Sequence, residues 1–130
     1  HRGIGTVYSA DGAPGSCGII HGDDAFIVAL GNDYMNYDYK SSHCGRRVQV
    51  RNTGANYRVG GKGNVIEVVV ADTCASCHGN HIDFSHAAWD ELTDESDHGQ
   101  INLEWYDLPV PFSKLGLRDI AKLCYRAFLD

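Results

Sequence analysis

The run Val68-Val69-Val70-Ala71-Asp72-Thr73-Cys74-Ala75-Ser76-Cys77 constrains this chain more than any other segment. An apolar stretch delivers one aspartate, and a Cys-x-x-Cys closes a short loop directly after it. A second aspartate follows at Asp83, within His81-Ile82-Asp83-Phe84-Ser85-His86-Ala87-Ala88-Trp89. There Ser85 and the Ala-Ala-aromatic run read as a capped helix start. Two carboxylates held at the ends of ordered elements can share one cleft, and such pairs do sugar chemistry or sugar binding. Each also has a structural reading, because Asp caps turns and helices well.

The surrounding pattern is strand-rich. Fifteen glycines in 130 residues exceed what a helical bundle tolerates. Short β-prone runs cover 5–9, 25–30, 47–51, 65–71 and 101–106, separated by turn signals such as Asp11-Gly12, Asn52-Thr53-Gly54 and Gly60-Gly61-Lys62-Gly63-Asn64. Val48/Val50 and Ile101/Leu103/Trp105 alternate as half-buried strands do, while the run from Val65 reads as a central strand. One helix is predicted from Ser85 to Leu92. The pattern predicts a mainly β fold, a small barrel, over residues 1–108. Beyond it Leu117, Ile120, Ala121, Cys124 and Phe128 share one helical face, so 109–130 reads as a C-terminal amphipathic helix and not a second domain.

The formal charge of −6 is uneven: residues 1–108 carry seven Lys/Arg against fifteen Asp/Glu. An acidic body argues against nucleic acid, which demands a basic footprint. No apolar run approaches the ~20 residues that span a bilayer. Neutral polymers and small molecules remain as ligands.

Five cysteines stand at 17, 44, 74, 77 and 124. Four in the turns of a small strand-rich chain fit a two-disulfide secreted domain, and Cys17–Cys44 with Cys74–Cys77 is the preferred of three pairings. Cys124 is left over, either buried in an apolar setting or free to link two copies of an otherwise monomeric chain. The same residues have rival readings. Cys74-Ala75-Ser76-Cys77-His78 matches the c-type haem attachment pattern, with Met35 the sole methionine ligand, but the context is β-rich. Cys74, Cys77, His78 and His81 have zinc-ligand chemistry but lack the spacer that lets two ligand pairs face one ion. His1 resembles a copper-binding N-terminal histidine, without diagnostic spacing to a second one. No cofactor and no metal are expected.

Seven tyrosines supply the remaining signal. Tyr34, Tyr37 and Tyr39 lie among Asn32, Asn36 and Asp38, and aromatic faces beside amides and carboxylates suit pyranose rings. Tyrosines at alternating positions equally form one packed face of a strand.

Taken in order, Gly5-Thr6-Val7-Tyr8, Gly15-Ser16-Cys17-Gly18, Cys44-Gly45-Arg46-Arg47-Val48-Gln49-Val50, Val70 to Cys77, Ile82 to Trp89 and Ile101-Asn102-Leu103-Glu104-Trp105 resemble the fungal loosenins. These are expansin-related single domains of the barwin-like and RlpA-like group. The resemblance implies a six-stranded double-psi β-barrel, secreted, that loosens cell-wall polysaccharide without cutting it. It implies Asp83 as the key cleft carboxylate, Asp72 as a second one, and Thr6 and Tyr8 as first-strand contacts, and it supports the preferred cysteine pairing. Tyr34, Tyr37, Tyr39 and Trp105 complete the expected binding surface. Related endoglucanases carry Thr-x-Tyr-Trp-Asp, whose final Asp is the general base; here Ala10 holds that place and Asp11 falls one residue late. Hydrolysis of a β-1,4-glucan is thus the alternative, and a secreted protease inhibitor or effector-type binding module a further one.

Overall fold

The computed structural model describes residues 1–9, 14–18, 24–36, 42–55 and 58–109. Tyr37, Tyr39, Ala10, Asp11, Cys124 and the expected C-terminal helix from residue 110 onward lie outside the described residues.

Six strands, β1 (Arg2–Val7), β2 (Ile27–Gly31), β3 (Arg47–Gly54), β4 (Val65–Cys74), β5 (Ile82–Phe84) and β6 (Ile101–Asp107), close into a barrel in the order β1-β5-β2-β4-β3-β6. β1/β5 and β2/β4 run parallel, while the other four pairings are antiparallel. Closure leaves no unpaired edge, which suits a chain made of short strands.

Alternation decides which side chains fill the barrel. Val28 and Leu30, Val48 and Val50, Ile82 and Phe84, and Ile101, Leu103 and Trp105 all point inward and are buried. The residues between them face out. Gly5 also points inward, where an added Cβ would sit 2.7 Å from both Leu103 and Phe84, so the aromatic ring of Phe84 occupies the space a side chain would need.

The expected helix forms as α2 (His86–Thr93), capped by Ser85, whose hydroxyl accepts from the Ala88 N–H. It lays Ala88, Trp89 and Leu92 on the barrel core. Asn52, fully buried, joins β3 to this helix: its amide donates to the carbonyls of Gly60 and Leu92, both at 3.0 Å, and its oxygen accepts from Gly54 N at 2.8 Å.

Three local features differ from the sequence expectation. β1 begins at Arg2 and not at Gly5, because β6 pairs it from Arg2 onward. A one-turn helix, α1 (Asn32–Met35), follows β2. Asp83 lies within a strand, β5, that the sequence pattern does not announce, while Ser85 caps α2 as expected. A three-residue strand has too few positions for a period to show, and it exists through its pairing with β1 and β2.

Candidate functional site

Register brings the site together. Thr6 on β1 pairs with Asp83 on β5, Asp83 pairs with Ala29 on β2, and Ala29 pairs with Asp72 on β4. Thr6, Asp83, Ala29 and Asp72 thus form one row across four neighbouring strands. Flanking residues Gly5, Ile82, Phe84, Val28 and Leu30 point inward, so this row faces out.

Asp72 reaches that face through a bulge. The β2/β4 register shifts between Val28, opposite Val70, and Ala29, opposite Asp72, which leaves Ala71 as the extra residue. A bulge re-aims the side chains that follow it. Without it Asp72 would share the inward parity of Val70.

Asp72 is firmly held. Its Oδ1 accepts from the backbone N–H groups of Ser16 at 2.9 Å and Thr73 at 2.8 Å. The segment carrying Ser16 is fixed by the Cys17–Cys44 disulfide and by Cys17 N–H on the Ala71 carbonyl. Gly15 is required for this approach, since a Cβ there would stand 2.4 Å from the Ala71 oxygen and 2.8 Å from Asp72 Cγ.

Asp83 sits two strand spacings from Asp72, roughly 10 Å at the Cα atoms. Its Oδ1 accepts from Thr6 Oγ1 at 2.8 Å, and Thr6 Oγ1 is also 2.8 Å from His81 Nε2. Burial pushes the Asp83 carboxyl above its ordinary value; the Thr6 hydrogen bond and His81 oppose this, and the Asp72 charge adds to it. His81 is lowered from its ordinary value, chiefly by burial, with Asp83 pulling it up and His78 pushing it down.

The floor of the cleft is apolar. Ala29, Cys74 and Cys77 cluster there with Tyr8 packed against them. Cys74 and Cys77 form the second disulfide, and their sulfurs and an Asp83 oxygen lie within 4.8 Å of one another. The sulfurs that a haem or zinc reading needs are therefore bonded to each other. Gly31 permits this loop to close, because a Cβ at that position would fall 2.3 Å from the Cys77 carbonyl oxygen.

Tyr8 is anchored by its N–H on the Phe84 carbonyl at 2.9 Å. Its hydroxyl is buried and has no hydrogen-bond partner among the described residues. Burial, then the charges of Asp72 and Asp83, push the phenol far above its ordinary value, so it stays a neutral donor. A buried hydroxyl without a partner costs about 1–3 kcal/mol, a cost that an acceptor on a ligand relieves.

Two expected contacts are placed elsewhere. Trp105 is 0% exposed, so its ring offers no face to a sugar. Its indole N–H donates to the Asn80 carbonyl at 3.0 Å and His1 covers it, ring centroids 4.3 Å apart. Tyr34 packs edge-on against His1, His43 and Trp105 and donates to Asn80 Oδ1. Burial pushes its phenol above the ordinary value, with the charges of Asp107 and Asp33 adding to it. Among the described residues, its hydrogen bond nearest the row is the one to Asn80, the neighbour of His81. His81, Ser16 and Thr73 were not singled out as cleft residues, although the i, i+2 spacing of His81 and Asp83 places both on one side of an extended chain. A separate depression of about 440 Å³, lined by Gln49, Arg51, Val65 and Tyr106 among others, lies on the β1–β6–β3 flank and includes neither aspartate.

Residues 31–105, more than half of the chain, match the model of a double-psi β-barrel family described as lytic transglycolase. A ripening-related protein of Oryza sativa subsp. japonica is 31% identical over 102 residues, which cover 75% of this chain and 61% of that protein. The apo expansin of Clavibacter michiganensis superposes with a TM-score of 0.66 at 26% identity, over 85% of this chain and 50% of the expansin. A single-residue variant of that expansin, in complex with cellohexaose, gives 0.64 at 25% identity over the same shares of the two chains. A Streptomyces papain inhibitor gives 0.59 at 26% identity, over 81% of this chain and 94% of the inhibitor. The chain spans 61% of the rice protein and half of the expansin, so it corresponds to part of each. With that match and a closed six-stranded barrel, the chain belongs to the double-psi β-barrel family of that description.

Proposed function

We propose that this chain is a secreted, loosenin-like protein that binds a cell-wall polysaccharide along the outer face of β1, β5, β2 and β4 and loosens it without hydrolysis. The observation that carries this reading is the row Thr6–Asp83–Ala29–Asp72, with the Tyr8 hydroxyl, which has no partner among the described residues, beside it. Small Ala29 leaves room between two carboxylates, and the phenol supplies a donor that no described residue occupies. A sugar ring on this floor meets an apolar surface below and acceptors on both sides, which is how pyranoses are held. The likeness to an expansin solved with cellohexaose supports a β-linked glucan as ligand. Two disulfides support an oxidising, extracellular setting.

Inverting hydrolysis needs an acid and a base with room for water between them. Asp83, held above its ordinary pKa, suits an acid. Asp72 has one oxygen committed to two backbone N–H groups, and Ala10 stands where related endoglucanases carry their base. Binding without turnover is the economical outcome. Incubation with cellulose, xylan, mixed-linkage glucan and chitin is expected to weaken the network of at least one while releasing no soluble sugar, and Asp83→Asn is expected to abolish the effect. Steady oligosaccharide release that disappears in Asp83→Asn establishes the endoglucanase reading instead. The likeness to a papain inhibitor motivates a parallel assay: nanomolar inhibition of papain with every polysaccharide unchanged replaces both.

A further inference from the structure

His81 is left without a role by the polysaccharide reading, although it touches the same hydroxyl as Asp83. Thr6 Oγ1 stands 2.8 Å from His81 Nε2 and 2.8 Å from Asp83 Oδ1. A threonine hydroxyl has one proton to give. While that proton points at the Asp83 carboxylate, the oxygen can only accept from the ring, so Nε2 must carry a hydrogen.

We propose that His81, Thr6 and Asp83 act as one proton-holding unit, in which His81 is a positioning residue that loads and unloads the Asp83 proton through the Thr6 hydroxyl. An incoming proton has two addresses. In the first, His81 is an imidazolium: Nε2–H donates to Thr6, and Thr6 donates to ionised Asp83. In the second, the Nε2–H bond has broken and its proton has passed to Thr6 Oγ1, while the original Thr6 proton has moved to Asp83 Oδ1. Asp83 is then a neutral acid donating to Thr6, Thr6 donates to the bare Nε2, and His81 keeps its proton on Nδ1. One N–H bond is lost and one O–H bond is gained, with no other reactant.

Burial favours this exchange. It raises Asp83 and lowers His81, which draws their proton affinities together. Sites coupled this way titrate as a pair. The other titratable groups facing the unit are Asp72 from β4, Tyr8 beyond β1 and His78 beside His81. Tyr8 stays neutral, and Asp72, further off and held by two backbone donors, acts on Asp83 by charge alone.

The relay deepens the polysaccharide reading, since it supplies the proton state of the carboxylate that reading relies on. Its test contains no polysaccharide, so the two fail separately. The ¹⁵N ring shifts of His81 and the ¹³C carboxyl shift of Asp83 are followed by NMR from about pH 3 to 8, the span that brackets both ordinary values. In the unaltered chain both nuclei are expected to move with one shared midpoint at each proton uptake. Thr6→Val removes the bridge at equal volume, and the midpoints of the two residues are expected to separate by about one pH unit or more. Thr6→Ser is expected to restore the shared midpoint. His81→Gln keeps a donor toward Thr6 but cannot titrate, and the Asp83 midpoint is expected to rise. Independent midpoints in the unaltered chain overturn the proposal. So does a shared midpoint that survives in Thr6→Val, because direct charge coupling then suffices. Should Thr6→Val not fold, an Asp83 midpoint left unmoved in His81→Gln overturns it alone.

Discussion

Replacing Asp72 by alanine tests whether this carboxylate is an anchor as well as a cleft group. Oδ1 accepts from two backbone N–H groups, Ser16 at 2.9 Å and Thr73 at 2.8 Å. Hydrogen bonds to a charged acceptor contribute about 1.5–3 kcal/mol each, so two set an upper bound near 6 kcal/mol. Asp72 is only half-buried, and water can reach part of what alanine abandons. The expected loss is therefore about 2–3 kcal/mol, a large share of the roughly 5–15 kcal/mol that keeps a domain folded. Asp72→Asn retains a carbonyl oxygen for both donors and loses only the charge, so it is expected to cost about 1 kcal/mol. Urea unfolding with both disulfides intact measures the two losses, read from midpoints at a common slope. Equal destabilisation by alanine and asparagine would show that charge, not the two bonds, is what Asp72 contributes. A loss below about 0.5 kcal/mol for alanine, the level of an ordinary surface change, removes the anchor role altogether.

Other expectations follow from the same geometry. Asp83 is raised in the fold, so the stability it contributes is full below about pH 3.9 and is lost as pH rises through its folded value. Asp83→Asn is thus expected to gain stability relative to the parent as pH rises from 3 to 7 in thermal melts, and parallel curves refute the assignment. Loosening itself is expected to be strongest in mildly acidic solution and to fade as Asp83 ionises, measured as network creep against pH. Gly31→Ala places a Cβ 2.3 Å from the Cys77 carbonyl, so it is expected to lose both thermal stability and polysaccharide binding. Removing Cys17–Cys44, which spans 27 residues, is expected to cost about 3.5 kcal/mol by loop entropy, against about 1.6 kcal/mol for the three-residue Cys74–Cys77 loop. The comparison requires matched Cys→Ala pairs in denaturant.

Much of the barrel was legible in the chain. Val48/Val50 and Ile101/Leu103/Trp105 announced strands because a sheet wetted on one side forces a period of two. Ser85 announced α2 because an N-cap needs a side-chain acceptor at one defined position. Asp72 and Asp83 stood out as carboxylates beside ordered elements, and the cysteine pairing preferred from the sequence is the pairing observed. What local pattern could not supply was long-range. β5 has three residues and is a strand only because β1 and β2 flank it. Asp72 faces the cleft only because Ala71 is absorbed in a bulge, and one residue of register decides which face a side chain takes. Trp105 alternates in phase with the inward Ile101 and Leu103, but that His1 and Tyr34 pack against its ring was not written in the period. His81 entered as a ring with metal-ligand chemistry and became part of the cleft only when Thr6, 75 positions away, came within 2.8 Å of it. Periodicity and capping act over neighbouring residues and are written in the chain, whereas the contacts of Thr6 on β1 with Asp83 on β5 and with His81 just before it exist only once the barrel has closed.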